Sequence, residues 1–170
     1  MLDFISPILL LICGLALFYG VLLGLKKIVT HLTRPQLIVL LLVWISIGFY
    51  FNLDYNTQFG CMLTTQYTWA IPNIVYSSLA AVLIFCSYAV QNRRYQLYLI
   101  NIELCIWLYK LLFIKGGYYI GIGGAPDESI LFYDVISLNL RLLFRSKTQE
   151  KPISIRYLIL INFLVFKLLK

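Results

Sequence analysis

Apolar residues run through the 170-residue chain in six blocks, and the polar positions are gathered into short breaks between them. The blocks cover residues 2–25, 36–53, 69–90, 95–114, 129–144 and 153–169. They are continuously apolar rather than alternating, which excludes the dyad pattern of a membrane β-barrel. A helix needs roughly 20 residues to cross a hydrocarbon core about 30 Å thick, and most of the blocks approach or exceed that length. The expected fold is all-α: a polytopic transmembrane helical bundle of about six helices, forming one integral membrane domain over residues 1–170.

The breaks fit this reading. The first block has no basic residues before it, is too long for a signal-peptide core, and reads as a retained anchor. Pro35 suits the first turn of the second helix, and Pro72 is expected near the start of the third, where a missing N–H is tolerated. Residues 54–68 are expected to form a loop, and Gln91-Asn92-Arg93-Arg94 a tight turn. Either Ser129 or Asp127 suits the cap of the fifth helix.

Basic residues then orient the bundle. The linkers 26–34, 91–94 and 145–156 hold three, two and four Lys or Arg, whereas 54–68 and 115–128 together hold only Lys115. The positive-inside rule places the first three on the cytoplasmic or matrix side of a bacterial or organellar inner membrane, with both termini opposite. That assignment requires 129–144 to cross. Sixteen residues reach only about 24 Å, so the competing reading is a helix lying in the interface.

Composition supports the class and removes others. Hydrophobic residues make up 61% of the chain and charged ones 12%, against about 45–50% and 25% in soluble domains. The net charge of +7 sits in clusters beside apolar blocks, which argues for anionic lipid headgroups and against nucleic acid. Cys13, Cys61, Cys86 and Cys105 lack metal-ligand spacing, and His31 is the single histidine. No catalytic, metal or cofactor set is expected. Cys61, in the expected outer loop, is the one cysteine placed for an intermolecular disulfide.

Four charges fall inside the blocks: Glu103 and Lys110 in the fourth, Asp134 and Arg141 in the fifth. Each pair is seven residues apart, two helical turns, and so shares one helix face. In an antiparallel hairpin centred on residue 122, Lys110 is level with Asp134, and Glu103 with Arg141. Trp107 and Ser137 are level between them. Charges at such depth cost roughly 2.5–3.5 kcal/mol each and require partners or water. Opposite signs at both levels point to ion pairs locking two helices, or to a proton or ion path with Glu103 as its titrating group.

Gly116, Gly117, Gly121, Gly123 and Gly124 lie in the loop of that hairpin. Their spacing, without a following Lys-Ser/Thr, is not a phosphate-binding loop, and the Thr-Val-Gly-Tyr-Gly order of a potassium filter is absent. They read as the connection itself. Small residues at Gly14, Gly20 and Gly24, and at Ser77, Ser78, Ala80 and Ala81, permit close helix approach.

One local stretch, Ile74-Val75-Tyr76 with Val82-Leu83 and Phe85, is similar to the third helix of the sixth membrane subunit of NADH dehydrogenase. Ser77 stands where that family has glycine, and the similarity covers about a dozen apolar residues. Three functions follow as expectations. The first is a non-catalytic membrane subunit acting through helix packing in a larger complex or homo-oligomer. The second is a channel or transporter component around Glu103. The third is a membrane enzyme on a lipid-linked substrate, using Asp127, Glu128 and Asp134.

Overall fold

A computed structural model describes the backbone of residues 2–58, 63–113, 119–120, 125–126 and 128–169. Side chains are described for 7–48, 75–109, 111–112 and 132–168. Within these residues the chain is all-helical apart from one very short strand pair. The helices are α1 (Leu2–His31), α2 (Arg34–Gln58), α3 (Leu63–Ala89), α4 (Arg93–Phe113), α5 (Glu128–Gln149) and α6 (Ile155–Leu169). Between α4 and α5, β1 (Tyr119–Ile120) pairs antiparallel with β2 (Ala125–Pro126).

Sequence chemistry explains where the helices start. Before α2, Gln36 supplies one half of a capping box: its Oε1 accepts from the Thr33 N–H at 2.8 Å and from the Thr33 hydroxyl at 2.9 Å. Asn92 caps α4 by accepting from the Arg94 N–H at 3.0 Å, and Ser154 stands before α6, accepting from the Tyr157 N–H at 3.4 Å. These caps occupy the three breaks rich in Lys and Arg. The connections there are therefore short, each only a few residues long, and α3 packs directly back on α4.

Three features differ from expectation. Most of the loop expected at 54–68 is helix, because α2 runs to Gln58 and α3 begins at Leu63. Polar residues there include no Pro and, outside 59–62, no Gly, so nothing local stops either helix. Pro72 consequently stands inside α3 rather than in its first turn. The fifth helix is longer than its apolar block. At 22 residues it reaches about 33 Å, since the helix continues through Arg145 to Gln149, with Arg145 and Lys147 tied to neighbours. Cys61 and the hairpin glycines Gly116, Gly117, Gly121, Gly123 and Gly124 lie outside the described residues.

Sequential helices pack as α2 on α3, α3 on α4 and α4 on α5. Helix α5 then passes between α1, α2 and α4, while α6 lies against α1 and α4. Within the stretch Asp134–Phe144, every α5 residue is buried except Ile136, which is half-buried. One stretch among the described residues, Pro7–His31, is long and apolar enough to cross a membrane; Arg34–Gly48 and Val75–Ala89 are shorter apolar stretches.

Helix α5 ends in a Schellman arrangement, with Glu150 N–H donating to Lys147 O and Lys151 N–H to Ser146 O, both at 3.2 Å. Glu150 has φ 59° there, a left-handed conformation that glycine adopts without penalty. Its ion pair with Arg93, 3.6 Å across exposed side chains, contributes little. Glu150→Gly is expected to stabilise the protein by about 0.5–1 kcal/mol in reversible denaturation. A loss instead would contradict this weighting of strain over ion pair.

Candidate functional site

The least apolar of the six helices is the one at the centre. A polar helix can be buried only if its polar groups find partners, and those of α5 find them on α1, α2, α4 and α6. At its N-terminal end, Tyr133 stacks on Trp44 of α2, with ring centroids 4.9 Å apart and planes 9° apart. The Tyr133 hydroxyl donates to the Trp44 carbonyl, and the Trp44 indole N–H donates to Ser137 Oγ at 2.6 Å. Tyr133 lies against Gly48, where a Cβ would collide with the phenol oxygen and ring.

One turn further on, Asn139 of α5 and Asn162 of α6 exchange amide hydrogen bonds of 3.0 and 2.9 Å. Each amide also donates to the carbonyl four residues back in its own helix, both at 2.7 Å. The pair is completely enclosed, at 0% and 1% exposure.

Arg141 is the largest fully buried side chain among the described residues. Its Nε donates to Glu103 Oε1 of α4, and its Nη1 donates to Ser137 O at 3.1 Å. Its guanidinium carbon lies 3.9 Å from the centre of the Trp107 ring, a cation–π arrangement. Nη2 has no hydrogen-bond partner among the described residues. Arg141 and Glu103 are 1% and 2% exposed, so the pair is enclosed within the bundle.

The structure thus brings Glu103, Arg141, Trp107 and Ser137 to one place. Asp134 is also buried, and the side chain of Lys110, its expected partner, lies outside the described residues.

Toward the C-terminal end, Arg145 Nε donates to Asn101 Oδ1 of α4 at 2.7 Å. Lys147 Nζ reaches the end of α1, donating to the carbonyls of Val29 and Thr30 at 2.8 Å and also to that of Leu32. Those are orphan acceptors of a helix C-terminus, where a cation is also favoured by the helix dipole. Arg93, at the start of α4, donates to Thr148 O at 3.4 Å. Five levels of α5 are therefore fixed to α1, α2, α4 and α6. This is a bracing centre, and among the described residues no three His, Cys, Asp or Glu come together as metal ligands.

Sequence reasoning missed several of these residues. Asn139 and Asn162 are equidistant from the Glu150–Lys151 bond, so the depth matching applied to the α4/α5 hairpin finds them once applied to α5/α6. The Trp44–Tyr133–Ser137 contact had no comparable signal, because α2 and α5 are separated in sequence by two other helices.

No known protein family, curated protein or solved structure matches the chain. Its chemistry is read from its own residues.

Two mutant cycles test the bracing. Glu103→Leu strands Arg141 as a buried charge and is expected to cost about 3–5 kcal/mol, whereas Glu103→Leu with Arg141→Met recovers most of that loss. Additive losses in denaturant titrations would contradict the pairing. Gly48→Ala is expected to cost about 1–3 kcal/mol by overpacking, and to cost much less in a Tyr133→Ala background. An equal cost in both backgrounds would show that Tyr133 is not what Gly48 accommodates.

Proposed function

We propose that the chain is a polytopic integral membrane protein and a non-catalytic subunit, acting through helix packing within a larger membrane complex or homo-oligomer. One observation carries this reading: polarity is arranged inside out. Bonded Asn, Arg, Glu and Ser side chains lie in the centre among buried apolar ones, while the outward faces of α1, α2, α3, α4 and α6 carry large apolar side chains. On α6, Leu158, Asn162 and Val165 face inward, and Leu160, Phe163 and Leu164 are half or more exposed or nearly so, at 52%, 64% and 49%. Contiguous apolar surface on this scale is rare in monomers surrounded by water, and hydrocarbon or partner helices are its natural cover.

Three further points support the finer parts of the proposal. At about 33 Å, α5 matches the hydrocarbon thickness, and it is enclosed by helices instead of presenting one face, which favours a crossing helix over an interfacial one. Helix α1 is built into the bundle through Leu22, Val29 and the Lys147 contact, as a retained anchor would be. The half of α1 before Phe18 is exposed throughout its described residues, which leaves a helical face for neighbouring subunits.

A second reading, a proton or ion path at Glu103, draws on its depth in the bundle. The enclosed bond to Arg141 favours a brace over a relay.

Native mass spectrometry and in-membrane crosslinking on the full chain test the leading proposal. They are expected to show a stable oligomer or a copurifying membrane partner. A monodisperse monomer without partners, together with flux in vesicles abolished by Glu103→Gln, would replace it with the channel reading.

A further inference from the structure

Two clefts flank the connection between α5 and α6, at the end of the bundle where the basic turns gather. The first, about 220 Å³, lies between α1 and α5 and includes Lys26, Lys147 and Glu150 in its lining. Its positive charge is largely committed. Lys147 donates to the carbonyls of Val29, Thr30 and Leu32, and the Glu150 carboxylate also borders the cleft.

The second cleft, about 250 Å³, differs in the feature that matters for an anion. It is lined by Arg145, Lys151, Gln149 and Tyr157, with Leu142 and Ile153 as apolar wall, and among the described residues no carboxylate borders it. Arg145 is anchored through Nε to Asn101 at 2.7 Å, and its two Nη groups carry no bond among the described residues. The guanidinium is therefore held in place with its donor fork uncommitted, the geometry that suits phosphate oxygens. Lys151 lies on the connection itself, which Ser146 fixes by accepting from the Ile153 N–H at 2.8 Å and donating to Lys151 O.

The cleft also opens onto an apolar track. Tyr157, at its lip, is followed at helical spacing by Leu160, Leu164 and Leu168, exposed by 63%, 52%, 49% and 59%. These residues share one face of α6, and the row runs about 16 Å from the cleft toward the far end of the helix.

We propose that this cleft binds one anionic phospholipid, its phosphate held by Arg145 and Lys151 and an acyl chain lying along the Tyr157–Leu168 face of α6. A cationic cleft continuous with an apolar track of that length fits an amphiphile with a phosphate head better than it fits a soluble ion. The inference rests on the membrane reading above.

The test uses the full chain in neutral detergent, with phosphatidylglycerol and phosphatidylcholine titrated separately and bound lipid counted by native mass spectrometry. Phosphatidylglycerol is expected to bind at least tenfold more tightly. Lys151→Gln and Arg145→Gln are each expected to weaken it about fivefold, the factor one basic side chain contributes at an anionic surface. Lys27→Gln, which removes the same charge outside the cleft, is expected to leave binding unchanged.

Equal loss with Lys27→Gln, or equal binding of both lipids, would overturn the site. Displacement of phosphatidylglycerol by millimolar inorganic phosphate would overturn the lipid assignment in favour of a soluble phosphate. If Arg145→Gln fails to fold for want of its Asn101 bond, Lys151→Gln decides the matter, since the exposed Lys151 side chain braces nothing among the described residues. A protein that stays in solution without detergent would fail the membrane reading itself, whereas a detergent-dependent bundle without lipid preference fails only this proposal.

Discussion

A guanidinium with 1% exposure must have its charge answered inside the protein. That constraint organises this fold. Arg141 sits midway along α5, bonded to Glu103 of α4, leaning on the Trp107 ring and donating back to its own helix at Ser137. With that contact made, α4 and α5 have one rotation and one register. The other polar groups of α5 then reach their partners by helical geometry: Trp44 on one side, Asn162 on another, the α1 carbonyls at the end. Removing any one bond leaves a buried polar atom unsatisfied, which costs about 1–3 kcal/mol. Polar contacts at the centre thus add to the apolar core in fixing how the helices sit.

That division of labour suits a medium in which apolar burial does not discriminate between inside and outside. Between helices surrounded by hydrocarbon, packing and interhelical hydrogen bonds choose the neighbours. The reciprocal Asn139–Asn162 bond fixes α6 on α5, even though α6 spans only Ile155–Leu169. The basic turns have a double role in the same scheme. Arg93 and Lys147 are used as internal caps on helix ends, while Arg145 and Lys151 border a cleft that faces outward.

How much of this was legible in the sequence depends on the range of the interaction. Continuous apolar blocks locate helices, and depth matching in a hairpin places Glu103 level with Arg141, because both depend on neighbours in sequence. Helix ends were harder to read. The polar run Arg145–Gln149 looks like a linker, yet Arg145 and Lys147 are held by Asn101 and by the α1 carbonyls, so the helix continues through them. Asp54–Gln58 likewise looks like loop and is helix. Contacts between helices distant in sequence, such as Trp44 with Tyr133, leave no spacing signal and appear only once the fold is assembled.

The proposal turns on α5, the most polar of the described helices, crossing the membrane in the middle of the bundle. Labelling in intact, sealed vesicles with a membrane-impermeant maleimide tests it most directly. The four native cysteines are first replaced, and Tyr119→Cys and Lys151→Cys are introduced one at a time to place a thiol beyond each end of α5. The account predicts that the two positions label from opposite sides of the vesicle. Labelling of both from the same side would contradict it.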